Sequence, residues 1–232
     1  MKLPSEAGWR AALAALDESG HAVLPAVLGA AECRELAALY DREDAFRSRV
    51  VMARHNFGSG EYKYLRYPLP AAVGALREAL YPHLAPLANA WQERLRLETR
   101  FPPTLEDYLA RCHAGGQQRP TPLILKYEAG DYNCLHQDLY GELVFPLQAT
   151  VLLSAPGADF EGGEFMLVEQ RPRMQSRGEV VPLGPGDTVV FAVNSRPVRG
   201  SKGDYRVTMR HGVSALRSGQ RHTLGVIFHD AL

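Results

Sequence analysis

Apolar residues recur at helical spacing through the first third of the chain. This period predicts amphipathic helices, which we place at residues 9–19, 30–40 and 70–95. Gly20 is a typical residue to end the first helix, because glycine adopts the left-handed conformation without strain. Pro82 and Pro86 lie inside the third helix, and we expect them to kink or divide it.

The pattern changes after a loop rich in Gly, Gln and Pro at residues 115–122. Seven short runs rich in apolar and β-branched residues follow, at residues 123–127, 143–153, 163–168, 179–183, 188–193, 205–213 and 222–228. Turn sequences such as Ala155-Pro156-Gly157 separate the runs. Seven or eight short strands with no helix between them indicate a sandwich or barrel rather than a parallel sheet. We therefore expect an α+β protein with a mainly β core and an α layer.

Length and composition indicate one globular domain, residues 1–232. Hydrophobic residues make up 46% and charged residues 22%, which excludes a disordered or fibrous chain. Lys plus Arg and Asp plus Glu number 26 each, so a uniformly basic, nucleic-acid-coating protein is also excluded. Residues 165–222 nevertheless contain ten Lys or Arg and only four Asp or Glu, so the β-rich part is locally basic.

The cysteines and the chain's hydropathy bear on the compartment. Cys33, Cys112 and Cys134 are too few for a disulfide framework, and they form no Cys-x-x-Cys pair for a structural zinc ion. No run approaches 18 apolar residues, and the first nine residues lack the apolar stretch of a signal peptide. These features predict a cytoplasmic protein with no membrane partner.

The triplet His136-Gln137-Asp138 is the strongest chemical signal. On a strand, its first and third side chains point to the same side, where they could bind one face of a metal ion. Two histidines and one carboxylate form the facial triad of non-haem iron oxygenases, so a further histidine is needed from His211, His222 or His229. His211 is favoured because an arginine follows it ten residues later, although a histidine in the apolar row of a strand is more often a core residue.

Arg221 lies ten residues after His211, on the next predicted strand. A guanidinium is a planar group that can bind a carboxylate through two hydrogen bonds. A metal beside a buried arginine would suit an acid that chelates the metal at one end and pairs with the arginine at the other. The alternative for Arg221 is an ordinary salt bridge.

Together these motifs resemble the Fe(II)/2-oxoglutarate-dependent dioxygenase superfamily. Three further segments carry the resemblance, namely Tyr127-Glu-Ala-Gly130, Gly162-Gly163-Glu164-Phe165 and the Pro-Gly-Asp turn at residues 185–187. The match covers about residues 121–230 and keeps the family's order of motifs. It implies a double-stranded β-helix, or jelly roll, as a catalytic core at residues 116–232. Residues 1–115 would then form a helical N-terminal layer, packed against the core, and a lid segment.

The resemblance also implies roles for single residues. His136, Asp138 and His211 would hold the metal, while Arg221 would bind the distal carboxylate of 2-oxoglutarate. Tyr127 would donate a hydrogen bond to the same carboxylate, its alternative being a packed core residue. The implied cofactors are Fe(II), 2-oxoglutarate and O₂, with ascorbate as a compatible reductant, and the implied reaction couples oxidative decarboxylation to C–H hydroxylation.

The chain further resembles a bacterial family of such oxygenases that is predicted to act on damaged nucleic acid. This resemblance suggests oxidative demethylation of alkylated bases, with damaged DNA or RNA as a partner. Tyr62, Tyr64 and Arg66 belong to a segment of interleaved aromatic and basic residues that could stack a base. Arg171 and Arg173 are candidates for phosphate contacts, in loops favoured by nearby prolines. The alternatives are an aromatic cover over the barrel mouth and a solvated basic rim.

Two other functions stay open at this stage. The ten-residue spacing from His211 to Arg221 and the Gly-Gly-Glu turn are more similar to prolyl-4-hydroxylases, which would imply hydroxylation of a protein, a peptide or a free amino acid. A catalytically inactive jelly-roll binding module is the minor alternative. Such a module is expected to lack a metal ligand or the arginine, and this sequence contains all of them.

Overall fold

Four α-helices form in the first half of the protein, for which a computed structural model describes residues 1–232. They are α1 (Glu6–Ser19), α2 (Ala30–Ala38), α3 (Ala71–Arg94) and α4 (Leu105–Ala114). The Ser5 side chain accepts a hydrogen bond from the Gly8 amide at the start of α1, and Gly20 ends it at φ 83° in the left-handed region. Helix α4 has no counterpart among the predicted helices. None of the helices has the length and apolar character needed to cross a membrane.

The protein also contains fourteen strands. They are β1 (His21–Leu24), β2 (Phe46–Val51), β3 (Gly58–Ser59), β4 (Glu61–Leu65), β5 (Leu123–Glu128), β6 (Tyr132–His136), β7 (Leu147–Leu152), β8 (Phe160–Gly162), β9 (Phe165–Gln170), β10 (Arg177–Val181), β11 (Thr188–Ala192), β12 (Ser195–Gly200), β13 (Gly203–Val213) and β14 (Leu216–Val226). Each of the seven predicted strands overlaps one of these elements.

The strands form two antiparallel sheets, as the jelly-roll expectation requires. The major sheet has the order β1-β11-β7-β14-β5-β4-β2, with β8 paired to β14. The minor sheet has the order β10-β9-β13-β6-β3, with β12 paired to β13. The predicted fold class, a mainly β core with an α layer, is confirmed.

Four strands of residues 1–115 belong to these sheets, although that segment is predicted to be a helical layer and a lid. Strand β1 pairs with β11, and β2 and β4 extend the major sheet beyond β5. Strand β3 pairs with β6 in the minor sheet. Gly58 permits this pairing, because a Cβ atom there would lie 2.4 Å from the Tyr132 carbonyl oxygen. Part of the aromatic segment is therefore a wall of the barrel.

Helix α3 continues through both of its prolines, whereas the sequence predicts a kink or a division. Pro82 and Pro86 lie four residues apart, and both are exposed. The carbonyl groups that lose their helical partners can therefore bind water. Residues on the opposite face, Leu80, Leu84 and Ala88 among them, are fully buried against the protein. This packing stabilises the helix across the prolines.

Strand β12 contains Pro197. This strand pairs on one side with β13, so the missing amide hydrogen of the proline falls at a sheet edge. Arg196 is 1% exposed and lies 2.5 Å from the Glu169 carboxylate. Arg196 thus stabilises the fold and does not belong to a solvated rim.

The hydrophobic core lies mainly between the major sheet and the helices. A cluster of 37 buried residues joins side chains such as Leu16, Leu80 and Trp91 of the helices to Val151 and Leu224 of the sheet. The space between the two sheets holds smaller apolar clusters and the polar residues described below. The sheet–helix layer supplies the stability, which leaves the interior of the barrel available for chemistry.

A buried ion pair connects the C-terminal segment to α3. The Arg77 guanidinium lies 2.8 Å from the Asp230 carboxylate, and both side chains are at most 1% exposed. Asp230 also accepts hydrogen bonds from the Tyr67 hydroxyl at 2.9 Å and from the His113 ring at 2.8 Å. One carboxylate therefore joins the C-terminal segment to α3, α4 and the segment before α3.

Asp230→Asn is expected to lower the free energy of unfolding by about 3–5 kcal/mol, because it leaves the Arg77 charge buried without a counter-charge. Urea unfolding followed by circular dichroism measures this change. Asp44→Asn is the matched control, since Asp44 forms an exposed pair with Arg42 and its loss should leave the midpoint nearly unchanged. Equal midpoints for the two variants would contradict the stabilising role of Asp230.

Candidate metal centre

Strand pairing brings two histidines together inside the barrel. His211 on β13 and His136 on β6 are Cα partners, and their ring centroids are 4.2 Å apart. Asp138 follows β6, and its two carboxylate oxygens lie 3.4 Å from His136 Nε2 and 3.3 Å from His211 Nε2. The three residues form a cluster whose ligand atoms all lie within 4.8 Å of one another.

Hydrogen bonding and burial prepare these groups to accept a cation. The backbone carbonyl of Cys134 accepts a hydrogen bond from His136 Nδ1 at 2.8 Å, which leaves Nε2 with a free lone pair. Burial opposes the charge of Asp138, but the neighbouring His136 and His211 rings hold its pKa well below the usual range. Burial also lowers the pKa of His211, which favours the neutral ligand form. Two imidazoles and one carboxylate are the donor set that suits iron(II) with open positions.

Arg221 lies in the same cavity, which has a volume of about 190 Å³. Its guanidinium is buried, and neither Nε nor Nη1 has a hydrogen-bond partner. Burial lowers the pKa of Arg221 to about 10, although Tyr127 and the Glu164 carboxylate partly oppose this shift. The guanidinium lies 5.6 Å from the ring centroid of Tyr127 and 5.8 Å from that of Phe160. A buried guanidinium with unpaired hydrogen-bond donors fits an anionic ligand.

The cavity also contains part of the predicted aromatic site. Tyr62 lines it, and so does Tyr127, whose hydroxyl accepts a hydrogen bond from Asn133 at 3.3 Å. Tyr64 is buried beside Tyr62 at a centroid distance of 5.4 Å, with the Arg47 guanidinium over its ring. The cavity thus brings together the cluster, Arg221, Tyr127 and Tyr62, with Tyr64 behind them.

The predicted basic contacts lie elsewhere. Arg171 is 2.6 Å from Glu169, and Arg173 is exposed in the turn between β9 and β10. Arg66 is exposed after β4. None of these three arginines lines the cavity.

The two competing histidines lie outside the cluster. His222 packs against Tyr40 at a ring distance of 5.7 Å, on the face of β14 opposite Arg221. His229 is buried, and its Nδ1 accepts a hydrogen bond from the Phe145 amide at 3.3 Å. Of the three candidate histidines, His211 is the one that lies in the cluster with His136 and Asp138.

Leu139 and Tyr140 line the cavity and were not predicted from the sequence, whereas Phe57 begins the predicted aromatic segment. Phe57 and Leu139 are 47% and 46% exposed, so they form an apolar rim at the mouth of the cavity. Tyr140 also lines it, and its hydroxyl donates a hydrogen bond to Asp138 at 2.8 Å. Its position two residues after Asp138 suggests a side chain near the cluster. Strand β6 ends at His136, however, so the alternation of a strand does not predict where the Tyr140 ring points.

His229 makes stability depend on pH. Burial lowers its pKa from 6.5 to about 4, so the unfolded chain takes up a proton before the folded protein does. This contribution is complete above about pH 6.5 and is lost as the pH falls towards 4, by about 3 kcal/mol in total. We expect His229→Gln to lose less stability than the unmodified protein between pH 7 and pH 5 in urea unfolding. Parallel losses in the two proteins would exclude His229 as a cause.

The chain is similar to known proteins over most of its length. The model of the family Oxygenase-NA, described as "Oxygenase, catalysing oxidative methylation of damaged DNA", matches residues 60–231. Uncharacterized proteins of two Mycobacterium tuberculosis strains, CDC 1551 / Oshkosh and H37Rv, are each 54% identical over 164 residues, covering 71% of this chain and 70% of theirs.

Solved structures share the fold at low sequence identity. A Pseudomonas putida prolyl-4-hydroxylase is 18% identical with a TM-score of 0.52, covering 94% of this chain and 96% of its own. A 2OG-Fe(II) oxygenase family oxidoreductase from Burkholderia pseudomallei is 17% identical with a TM-score of 0.55, covering 100% and 96%. At this level of identity the likeness establishes the common architecture.

Proposed function

Because the chain belongs to the Oxygenase-NA family, it is an oxygenase, and we propose that it uses Fe(II) and 2-oxoglutarate to demethylate damaged bases of nucleic acid oxidatively. The observation that carries this proposal is one cavity containing both the His136–Asp138–His211 cluster and the unpaired Arg221. The cluster fits the metal, and the arginine fits the distal carboxylate of a dicarboxylic acid.

His136, Asp138 and His211 would hold iron(II), which leaves coordination positions for the 2-oxo acid and for O₂. When bound, the metal and 2-oxoglutarate supply the oxidising chemistry, in which O₂ gives one oxygen atom to succinate, with loss of CO₂, and the other to a C–H bond. Arg221 would orient the co-substrate through its unpaired hydrogen-bond donors. The Tyr127 hydroxyl can donate to the same carboxylate, because the bond from Asn133 uses it as an acceptor.

The proposed reaction removes a methyl group rather than adding one, because the hydroxylated methyl group is unstable on nitrogen. Hydroxylation of an N-methyl carbon gives a hemiaminal, whose C–N bond breaks to release formaldehyde and to restore the N–H of the base. An oxygenase therefore removes such a methyl group, and the second step needs no dedicated general base in the protein.

The mouth of the cavity supports a planar substrate. Phe57 and Tyr62 present aromatic rings to the cavity, and Leu139 adds an apolar surface to its rim. Extruding a base from its stack costs free energy, and stacking of that base on an aromatic side chain returns roughly 1–3 kcal/mol. We propose that Phe57 and Tyr62 hold the extruded base against the metal centre.

The decisive experiment measures succinate and formaldehyde together. Iron-loaded protein should release both in equal amounts when a single-stranded oligonucleotide with N-methylated bases is added, and the unmethylated oligonucleotide should give neither above background. Phe57→Ala should raise the oligonucleotide concentration needed for half-maximal activity without changing 2-oxoglutarate affinity. Failure of methylated DNA and RNA to stimulate succinate release would reject the substrate while leaving the oxygenase class intact.

Hydroxylation of a protein, peptide or amino acid is the second candidate. It is favoured by the apolar mouth, in which Phe57 and Leu139 are the exposed residues, and by the lining of the cavity, in which Arg221 is the only Lys or Arg. The phosphate groups of a nucleic acid would have to pair with Lys or Arg side chains outside the cavity. Peptide-stimulated turnover with a mass gain of one oxygen, and no formaldehyde, would support this candidate.

A further inference from the structure

Tyr140 contacts the proposed metal ligand Asp138 directly. Its hydroxyl donates a hydrogen bond of 2.8 Å to Asp138 Oδ1. A tyrosine hydroxyl keeps its proton at neutral pH, because its ordinary pKa is about 10. The contact therefore joins a permanent donor to one oxygen of the carboxylate.

Neighbouring rings hold the Tyr140 side chain in this position. Tyr64 packs edge-on against it at a centroid distance of 6.2 Å, with an interplanar angle of 88°. His229 lies on another side at 6.2 Å, tilted by 38°. The ring thus has packing partners that do not depend on its hydroxyl.

The backbone at Tyr140 is also held. The buried side chain of Gln117 donates hydrogen bonds from Nε2 to the carbonyl oxygens of Tyr140 and Leu143, each at 3.1 Å. Gly141 has φ +95°, and a Cβ atom there would lie 2.6 Å from the Gln117 side chain. The loop after Asp138 is therefore anchored against residue 117, which places the phenol rather than leaving it to rotate in solvent.

These contacts make the two oxygens of Asp138 inequivalent. Oδ1 accepts the phenol hydrogen, whereas Oδ2, which lies 3.3 Å from His211 Nε2, has no such donor. A cation competes poorly for a lone pair that already holds a proton donor. We infer that Tyr140 is a positioning residue that restricts Asp138 to offering the metal one oxygen, Oδ2, and so preserves a coordination position.

The test uses Co(II), which reports its coordination number through its visible absorption, as the probe. Tyr140→Phe removes the hydroxyl and keeps the ring. We expect Co(II) to bind roughly 10–100-fold more weakly, as is usual when a partner of a metal ligand is removed, and its visible spectrum to change. Tyr108→Phe is the matched control, because the Tyr108 hydroxyl is buried without a partner, far along the chain from the cluster. It should leave both the Co(II) affinity and the spectrum unchanged.

Because this inference rests on the proposed function, the unmodified protein is measured first. If it fails to bind Co(II), the metal site itself is rejected. If it binds Co(II) and Tyr140→Phe matches it within twofold with the same spectrum, the positioning role alone is overturned. A metal-free Tyr140→Phe that loses its circular dichroism spectrum or melts well below the parent would also contradict the inference, since it would assign the hydroxyl to folding.

Discussion

Asp138→Ala is expected to abolish Co(II) and Fe(II) binding and to reduce 2-oxoglutarate turnover to that of metal-free protein. The cluster has one negative charge, and removing it leaves two neutral imidazoles whose rings are 4.2 Å apart. Removing a residue that merely supports a ligand costs roughly 10–100-fold in metal affinity, so loss of the ligand itself should exceed ~100-fold. Isothermal titration with Co(II), together with succinate release from iron-loaded protein, measures both effects.

Two histidine variants complete this experiment. His211→Ala should behave like Asp138→Ala, whereas His222→Ala should retain metal binding, because His222 lies on the opposite face of β14 and packs on Tyr40. The pair separates a general effect of removing an imidazole from a specific one. Normal Co(II) binding by Asp138→Ala, or an equal loss in both histidine variants, would remove the proposed metal centre.

The strands were predictable where the residues alternate and the turns are marked. The run at residues 205–213 alternates apolar and polar side chains, and it forms β13 with His211 facing inward. Strand β6 was not predicted, because its sequence Tyr-Asn-Cys-Leu-His lacks a clean alternation and part of it lines a cavity rather than a core. Cavity walls carry polar side chains for function, which weakens the pattern that identifies a strand.

The pairing of His211 with His136 lay beyond any local pattern. It depends on the register between β13 and β6, which are separated by more than sixty residues and whose ladder is irregular near Val213. A shift of one residue would turn His211 to the other face of the sheet. The sequence therefore left three candidate histidines, and the pairing of distant strands places His211 beside His136.

The surroundings of the arginines could not be predicted from the local sequence either. Arg196 and Arg221 are both about 1% exposed, and nothing in their local sequence separates them. Arg196 lies beside Glu169, which also pairs with Arg171, so two of the ten cations in residues 165–222 share one carboxylate. A charge count along the chain overstates the basic surface, because it includes buried cations such as Arg196 and Arg221.

Arg221 differs from the buried Arg77 and Arg196 in lacking a salt-bridge partner. Arg77 has Asp230 and Arg196 has Glu169, whereas Nε and Nη1 of Arg221 have no hydrogen-bond partner. Burying such a group lowers the free energy of unfolding, and the binding of an anion would offset this destabilisation. The barrel interior can accommodate it because the main hydrophobic core lies on the other side of the major sheet.

Arg221→Met is therefore expected to produce two effects of opposite sign. The 2-oxoglutarate concentration for half-maximal turnover should rise roughly 30- to 5000-fold, which corresponds to the 2–5 kcal/mol lost when one partner of a buried charged pair is truncated. The metal-free protein should become more stable by about 1–4 kcal/mol, as happens when apolar residues replace buried charges of similar volume. Steady-state kinetics with varied 2-oxoglutarate and urea unfolding measure the two quantities.

Arg217→Met is the matched control on the same strand, because Arg217 is exposed and lies 3.6 Å from Glu164. It should change neither the 2-oxoglutarate requirement nor the stability. A destabilised Arg221→Met would show that the guanidinium stabilises the fold, and an unchanged 2-oxoglutarate requirement would assign the co-substrate carboxylate to another residue.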